Sequence, residues 1–332
     1  MLKKLVWSFI FGTIGIGMVV FGATAPMAAE QYTLNIGHVL DPQHPVQIGG
    51  LRFAQAAAEK SGGRIKVNLY PSSQLGSDRE VLQNVQGGVV HGTIQASTSL
   101  VNFVPEYGGL DLPYLVSSQD AAYRFLDGPV VKAELIDKAA KAGFHVVHHW
   151  EVTFRHIYTP KKQIRSLGDL KGLKIRVIPS PSYITLFRAL GASPTPMAFG
   201  ELYTALQQGT VDGAENDLIT YHSTKHFEVA KNLAITRHIM LVNTLFLSEK
   251  HWNTYPADIQ KILVEASLEG RKALIENRTA REVKVLELLK AGNVQTTEPD
   301  LAPFIETARK SYPEFEGKLG KDLIRKIVEA VK

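Results

Sequence analysis

The sequence predicts an α/β fold in two lobes with discontinuous domains, and three observations carry that expectation. Two separate stretches alternate short apolar runs with capped helical segments, the pattern of a largely parallel sheet covered on both faces. Long extended passages without turn signals, FHVVHHWEVTFRHIY and NLAITRHIMLVNTLFLS, separate those stretches, so the chain crosses between lobes twice and leaves a cleft. Finally, a helical pattern from Pro256 to Gly292 reaches about 50 Å if unbroken, longer than one small domain is wide.

The 332 residues, 45% hydrophobic and 21% charged, suit two globular domains. Residues 1–29 stand apart. Lys3 and Lys4 precede an uncharged apolar run from Leu5 to about Phe21, and the small-residue segment ATAPMAA follows, the layout of a secretory signal peptide cleaved after Ala29. A retained anchor is the competing reading, since the run approaches the ~20 residues that span a bilayer. It ends in alanines, however, where a stop-transfer segment carries basic residues.

In the first set, YTLNIGHV and RIKVNLY read as strands around the helical PVQIGGLRFAQAAAEKSGG, which Pro45 opens and Gly62 and Gly63 end. SDREVLQNVQGG is a helix with Ser77 as N-cap, Glu80 completing a capping box and Gly87 as stop, and VVHGTIQA is the third strand. The second set runs as strand LKIRVIP, helix SYITLFRALG, loop ASPTPMAFG, helix ELYTALQQG and strand VDGAEN. These assignments place lobe I over residues 30–152 and 242–281, and lobe II over 153–241 and 282–332.

Arg176 raises the functional question. Leu173, Ile175 and Val177 share one face of their strand while Lys174, Arg176 and Ile178 share the other, so Arg176 either meets water or serves an anion. IPSPS ends the strand before a helix whose free N–H groups favour anions, and strand ends at a crevice are where α/β folds bind ligands. An arginine fork meets a carboxylate with two parallel hydrogen bonds.

The run PTPMAFGELYTALQQGTVDGAEN, with LKGLKIRV upstream and YPSSQLGSDRE in the first lobe, resembles the extracytoplasmic solute-binding proteins of TRAP transporters, the DctP-type family. The similarity spans the chain from about Tyr32 to the C-terminal helices. It implies a two-lobed periplasmic-binding-protein (type II-like) architecture with a long helix crossing both lobes. The implied function is a monomeric periplasmic receptor, not an enzyme, that closes on a small carboxylate and delivers it to the membrane permease subunits of an ion-driven TRAP transporter. By the same resemblance Arg176 pairs the ligand carboxylate, Arg155 is a second ligand-facing base, and Phe199 and Asn216 supply a pocket aromatic and a pocket amide. His38, Ser97, Thr98, Trp150 and Glu151 lie on segments expected to face the cleft. Sialate-binding members carry polar or acidic groups at the positions of Val39, Ala96 and Pro179, and this chain has none there, which points away from sialate. Val152-Thr153 and Asp217 replace the usual Asn-Gly and proline. The acid stays open among C4-dicarboxylates, sugar acids, 2-oxo acids and aromatic acids.

Other chemistries fit poorly. A formal charge of +5, two units of it from Lys3 and Lys4, is too small and too evenly spread for a nucleic-acid partner. Cysteine is absent, which removes disulfides and thiolate chemistry. His148 and His149 point to opposite faces of a strand, and His222 and His226 lack the glutamate of a metalloprotease motif, so no transition-metal site and no cofactor is expected. A calcium ion bridging the acid through Glu151 or Glu215 stays open. No phosphate-binding loop, dinucleotide fingerprint or nucleophile elbow occurs, which leaves an exported hydrolase as the weakest alternative and a ligand-presenting sensory receptor as the stronger one.

Overall fold

A computed structural model describes residues 30–331; the expected leader and the expected cleavage after Ala29 lie outside the described residues. Both sheets belong to the compact unit that begins at Gln31. Eleven strands occur among the described residues: β1 (Tyr32–Gly37), β2 (Ile65–Tyr70), β3 (Gly92–Ala96), β4 (Phe144–Phe154), β5 (His156–Thr159), β6 (Lys174–Val177), β7 (Ser193–Pro196), β8 (Gly213–Asn216), β9 (Asn232–Ala234), β10 (Met240–Ser248) and β11 (Gln295–Thr297). The first lobe holds the sheet β2-β1-β3-β10-β4 and the second the sheet β11-β9-β5-β8-β6-β7.

Both sheets are mixed. β1 pairs in parallel with β2 and β3, as the helical crossovers require, whereas β10 runs antiparallel to β3 and β4 because it returns from the other lobe. The chain leaves the first sheet after Phe154 and re-enters it at Met240, slightly inside the expected boundaries. At the crossing the two passages bond to each other, Arg155 N to Ile239 O at 3.0 Å and His238 N to Arg155 O at 3.3 Å. The segment expected as the loop ASPTPMAFG contains β7; Pro194 and Pro196 are tolerated because β7 is an edge strand.

Local signals explain the helices that frame the cleft. Pro45–Lys60 starts on Pro45, with His44 as N-cap accepting from Val46 N. Asp78–Gly87 begins with the Ser77/Glu80 capping box and ends one residue later than expected, on Gly88 in the left-handed conformation.

Ala257–Ala291 is one unbroken helix of 35 residues. Its Ile259, Leu263 and Leu274 pack with Phe53 and Trp150 of the first lobe, and its Val285 and Leu289 with Tyr158 and Leu233 of the second. The C-terminal segment corrects an expectation. Phe304 and Ala308 pack in the second lobe. From Tyr312 onward, however, Phe315, Leu323, Ile324 and Ile327 join Val85, Tyr107 and Phe144 on the first lobe. The apolar stripe of Lys321–Ala330 must be covered, and Gly109 of the first lobe, lacking a Cβ, leaves room for Ile327.

Candidate functional site

A cavity of about 50 Å³ lies between the lobes. Val39, Asp78, Gln95 and Asn243 line it from the first lobe, and Arg155, Arg176, Phe199, Asn216 and Thr220 from the second. Four residues expected at the ligand, Arg176, Arg155, Asn216 and Phe199, therefore meet in one place.

Arg176 is 2% exposed. Its Nε and Nη2 donate to the Met197 carbonyl at 3.0 and 2.7 Å, which fixes the guanidinium plane. Nη1 is buried and has no hydrogen-bond partner among the described residues. The Phe199 ring lies 5.7 Å from the guanidinium carbon. Burial pushes the Arg176 pKa down, while the carboxylate of Glu215 pulls it up. A buried cation without an ion-pair partner is costly, and a bound anion removes that cost.

Arg155 differs. Its Nε and Nη2 grip the Glu215 carboxylate, Nη2 also donates to the Glu215 carbonyl at 2.7 Å, and Nη1 donates to Asn216 Oδ1 at 2.7 Å. Burial opposes its charge most strongly, but Glu215, Tyr183 and Asp217 together hold the pKa above its ordinary value. Arg155, expected as a second ligand-facing base, thus lines the cavity with its guanidinium already paired to Glu215 and bonded to Asn216.

Other expected residues do not line the cavity. Trp150 is fully buried against Phe53 and donates from Nε1 to Ser267 Oγ at 2.8 Å. His38 bonds Gln47 Oε1 at 2.7 Å, and Thr98 donates to Asp111 Oδ2 at 2.6 Å. Ser97 is buried beside Thr98, away from the lining. Glu151 stands one layer back, accepting from Asn243 Nδ2 at 2.6 Å. Burial, then Asp217, pushes the Glu151 pKa up to about 7.

Sequence reasoning missed Asp78, Asn243 and Thr220. Asp78 is hidden in a helix-start pattern, although an Asp just after an N-cap at a cleft is itself a signal; Asn243 is a lone amide in the apolar run MLVNTLFLS, a stronger one. Asp78 Oδ1 is buried with no partner among the described residues, and burial pushes its pKa up to about 6 against the pull of Arg176.

The lobes also touch through a polar chain. His44 Nδ1 accepts from Val46 N, so the neutral ring carries its proton on Nε2, which reaches Thr220 Oγ1 at 3.1 Å; Thr220 in turn donates to Asp217 Oδ2 at 2.6 Å. Among the described residues no group of three or more His, Cys, Asp or Glu is placed to hold a metal ion. Glu215 and Glu151, the carboxylates considered for calcium, turn towards Arg155 and Arg278.

Residues 36–318 match the family described as bacterial extracellular solute-binding protein, family 7. A solute-binding protein of Verminephrobacter eiseniae is 34% identical over 308 residues, covering 91% of this chain and 90% of that one. The sugar-acid-binding protein of Advenella mimigardefordensis in complex with galactonate superposes with a TM-score of 0.87 at 27% identity, over 91% of this chain and 98% of that one. A TRAP periplasmic solute-binding protein of Sulfurospirillum deleyianum with bound succinate gives a TM-score of 0.85 at 32% identity, over 91% and 100%.

Proposed function

The chain belongs to the bacterial extracellular solute-binding protein family 7, and from that premise we propose that it is a periplasmic receptor that captures one small organic acid between its lobes and hands it to a TRAP-type permease. The observation that carries the reading is Arg176, a buried guanidinium fixed by a carbonyl, without an ion-paired carboxylate among the described residues, facing an interlobe cavity. An incoming carboxylate completes the ion pair that the fold leaves open.

In this reading Arg176 anchors the carboxylate, Asn216 adds its amide, and Phe199 packs on the apolar face. Arg155 and Glu151 hold Asn216 and Asn243 from behind. The lobes close about the crossing near Arg155 and Ile239, and the closed form presents the ligand to the permease. The protein acts as a monomer, exported by a cleaved leader, and catalyses no reaction.

A thermal-shift screen of protein expressed from the full-length sequence, against organic acids and their amide analogues, tests the reading. Ligand at a hundred times Kd stabilises by about 2.7 kcal/mol. A shift with an acid and none with its amide supports the reading; equal shifts with both, or steady turnover of the acid, reject it.

A further inference from the structure

Resting on the carboxylate-receptor reading, we propose that the cavity is built for a hydroxy-monocarboxylate whose carboxylate meets Arg176 and whose hydroxyl donates to Asp78 and Asn243. The polar lining divides into donors and acceptors, and the division follows from which atoms are already used.

On the donor side, Arg176 Nη1 has no partner among the described residues. Asn216 Oδ1 accepts from Arg155 Nη1 at 2.7 Å and from Asp217 N at 3.0 Å, so its amino group is what remains for a ligand. On the acceptor side, Asp78 Oδ1 is buried and without a partner. Asn243 gives its Nδ2 to Glu151, leaving its carbonyl oxygen for the cavity. Glu151 thus acts as a positioning residue: it fixes which end of the Asn243 amide a ligand meets. Gln95 is neutral in this division, with Oε1 taken by Thr93 and Nε2 by the Asp78 carbonyl.

Charge narrows the ligand further. Glu215 cancels Arg155, so Arg176 is the lining cation whose charge no ion pair offsets, and one carboxylate matches it. A second carboxylate would meet the open acceptor oxygens of Asp78 and Asn243. An ammonium is disfavoured as well, because Asp78 lies within the field of Arg176. A hydroxyl satisfies the acceptors without adding charge.

Titration calorimetry with D-erythronate, pantoate and 2-hydroxybutanoate, against succinate and butanoate, tests the proposal. At least one hydroxy acid is expected to bind about tenfold or more tightly than butanoate and succinate, the worth of a hydrogen bond to a charged group. Asp78→Asn is expected to weaken the hydroxy acid and to strengthen succinate. Asn243→Leu provides an independent variant, with a narrowed ratio of hydroxy-acid to butanoate affinity. Glu151→Ala is expected to narrow the same ratio, and Glu151→Gln, which keeps an acceptor, to restore it. Succinate binding as tightly as the hydroxy acids, or an unchanged ratio in both Asp78→Asn and Asn243→Leu, overturns the proposal and leaves the carboxylate receptor standing. Silence of all five acids overturns this proposal, and the screen of acids against their amides then decides the receptor reading.

Discussion

Arg176 and Met197 are joined by two hydrogen bonds to a single carbonyl oxygen, 3.0 Å from Nε and 2.7 Å from Nη2. A carbonyl orients a guanidinium without neutralising it. The parallel pairing of β6 with β7 sets Arg176 opposite Thr195 and brings Met197, just beyond the strand, within reach. The edge strand that the sequence disguised as a proline-rich loop therefore determines where the free Nη1 points.

The His44–Thr220–Asp217 chain ties the start of helix Pro45–Lys60 to helix Leu218–Ser223 across the cleft. Thr220→Val keeps the volume and removes both bonds, each worth about 1 kcal/mol. Only the His44–Thr220 bond crosses the cleft, so ligand affinity is expected to fall roughly fivefold, with fewer closed molecules in an interlobe energy-transfer measurement. Unchanged closure would show that the chain does not hold the lobes together.

Gly270 permits close contact between the crossing helix and helix Pro45–Lys60. A Cβ there would lie 2.8 Å from the Gly49 carbonyl and 2.8 Å from the Trp150 ring. Alanine gains about 1 kcal/mol of helix propensity, but overpacking costs about 1–3, so Gly270→Ala is expected to be less stable in urea denaturation. A stabilised variant would contradict the packing account.

Acid is expected to destabilise the protein. Burial pushes His44 and the half-buried His145 down to about 4, and His149, His156 and His226 down to about 3. Below about pH 6.5 the unfolded chain binds protons on these rings that the native chain refuses, so stability falls as pH drops towards 4. Asp78, Asp111 and Glu151, pushed up by burial to about 6, 7 and 7, oppose this, because the native chain takes up their protons first. The histidines outnumber them, and the melting temperature should decline from pH 6.5 to 4.5, less steeply in His149→Gln. A melting temperature that rises over that range would refute the balance.

Trp150→Phe removes the bond to Ser267 and part of the core without touching the cavity lining. Stability is expected to drop by about 1–3 kcal/mol while affinity for a bound acid stays within about twofold. A large affinity loss at unchanged stability would return Trp150 to the ligand.

Trp150 also shows why part of the site was illegible. Strand alternation would put Trp150 and Val152 on one face, yet Trp150 packs with Phe53 and Val152 with Val242 on the opposite side. The register against β10 slips there: Asn243 opposes Glu151 and Thr244 opposes His149, leaving Trp150 as the extra residue of a bulge. No turn residue in HHWEVTF announces that slip, so faces counted through it come out reversed. Arg176, by contrast, lies on a short regular strand where counting works. The C-terminal helices were legible as amphipathic, but their pattern cannot say which lobe covers them. Asp78 was read only as helix-start chemistry, because capping and ligand binding favour the same residue type.

The most direct test compares native protein and Arg176→Ala in titration calorimetry with the acid that gives the largest thermal shift. If Arg176 is the carboxylate anchor, affinity falls by about 2–5 kcal/mol, the cost of removing one partner of a buried charge pair. Near-native affinity in a folded Arg176→Ala protein would contradict the account at its centre.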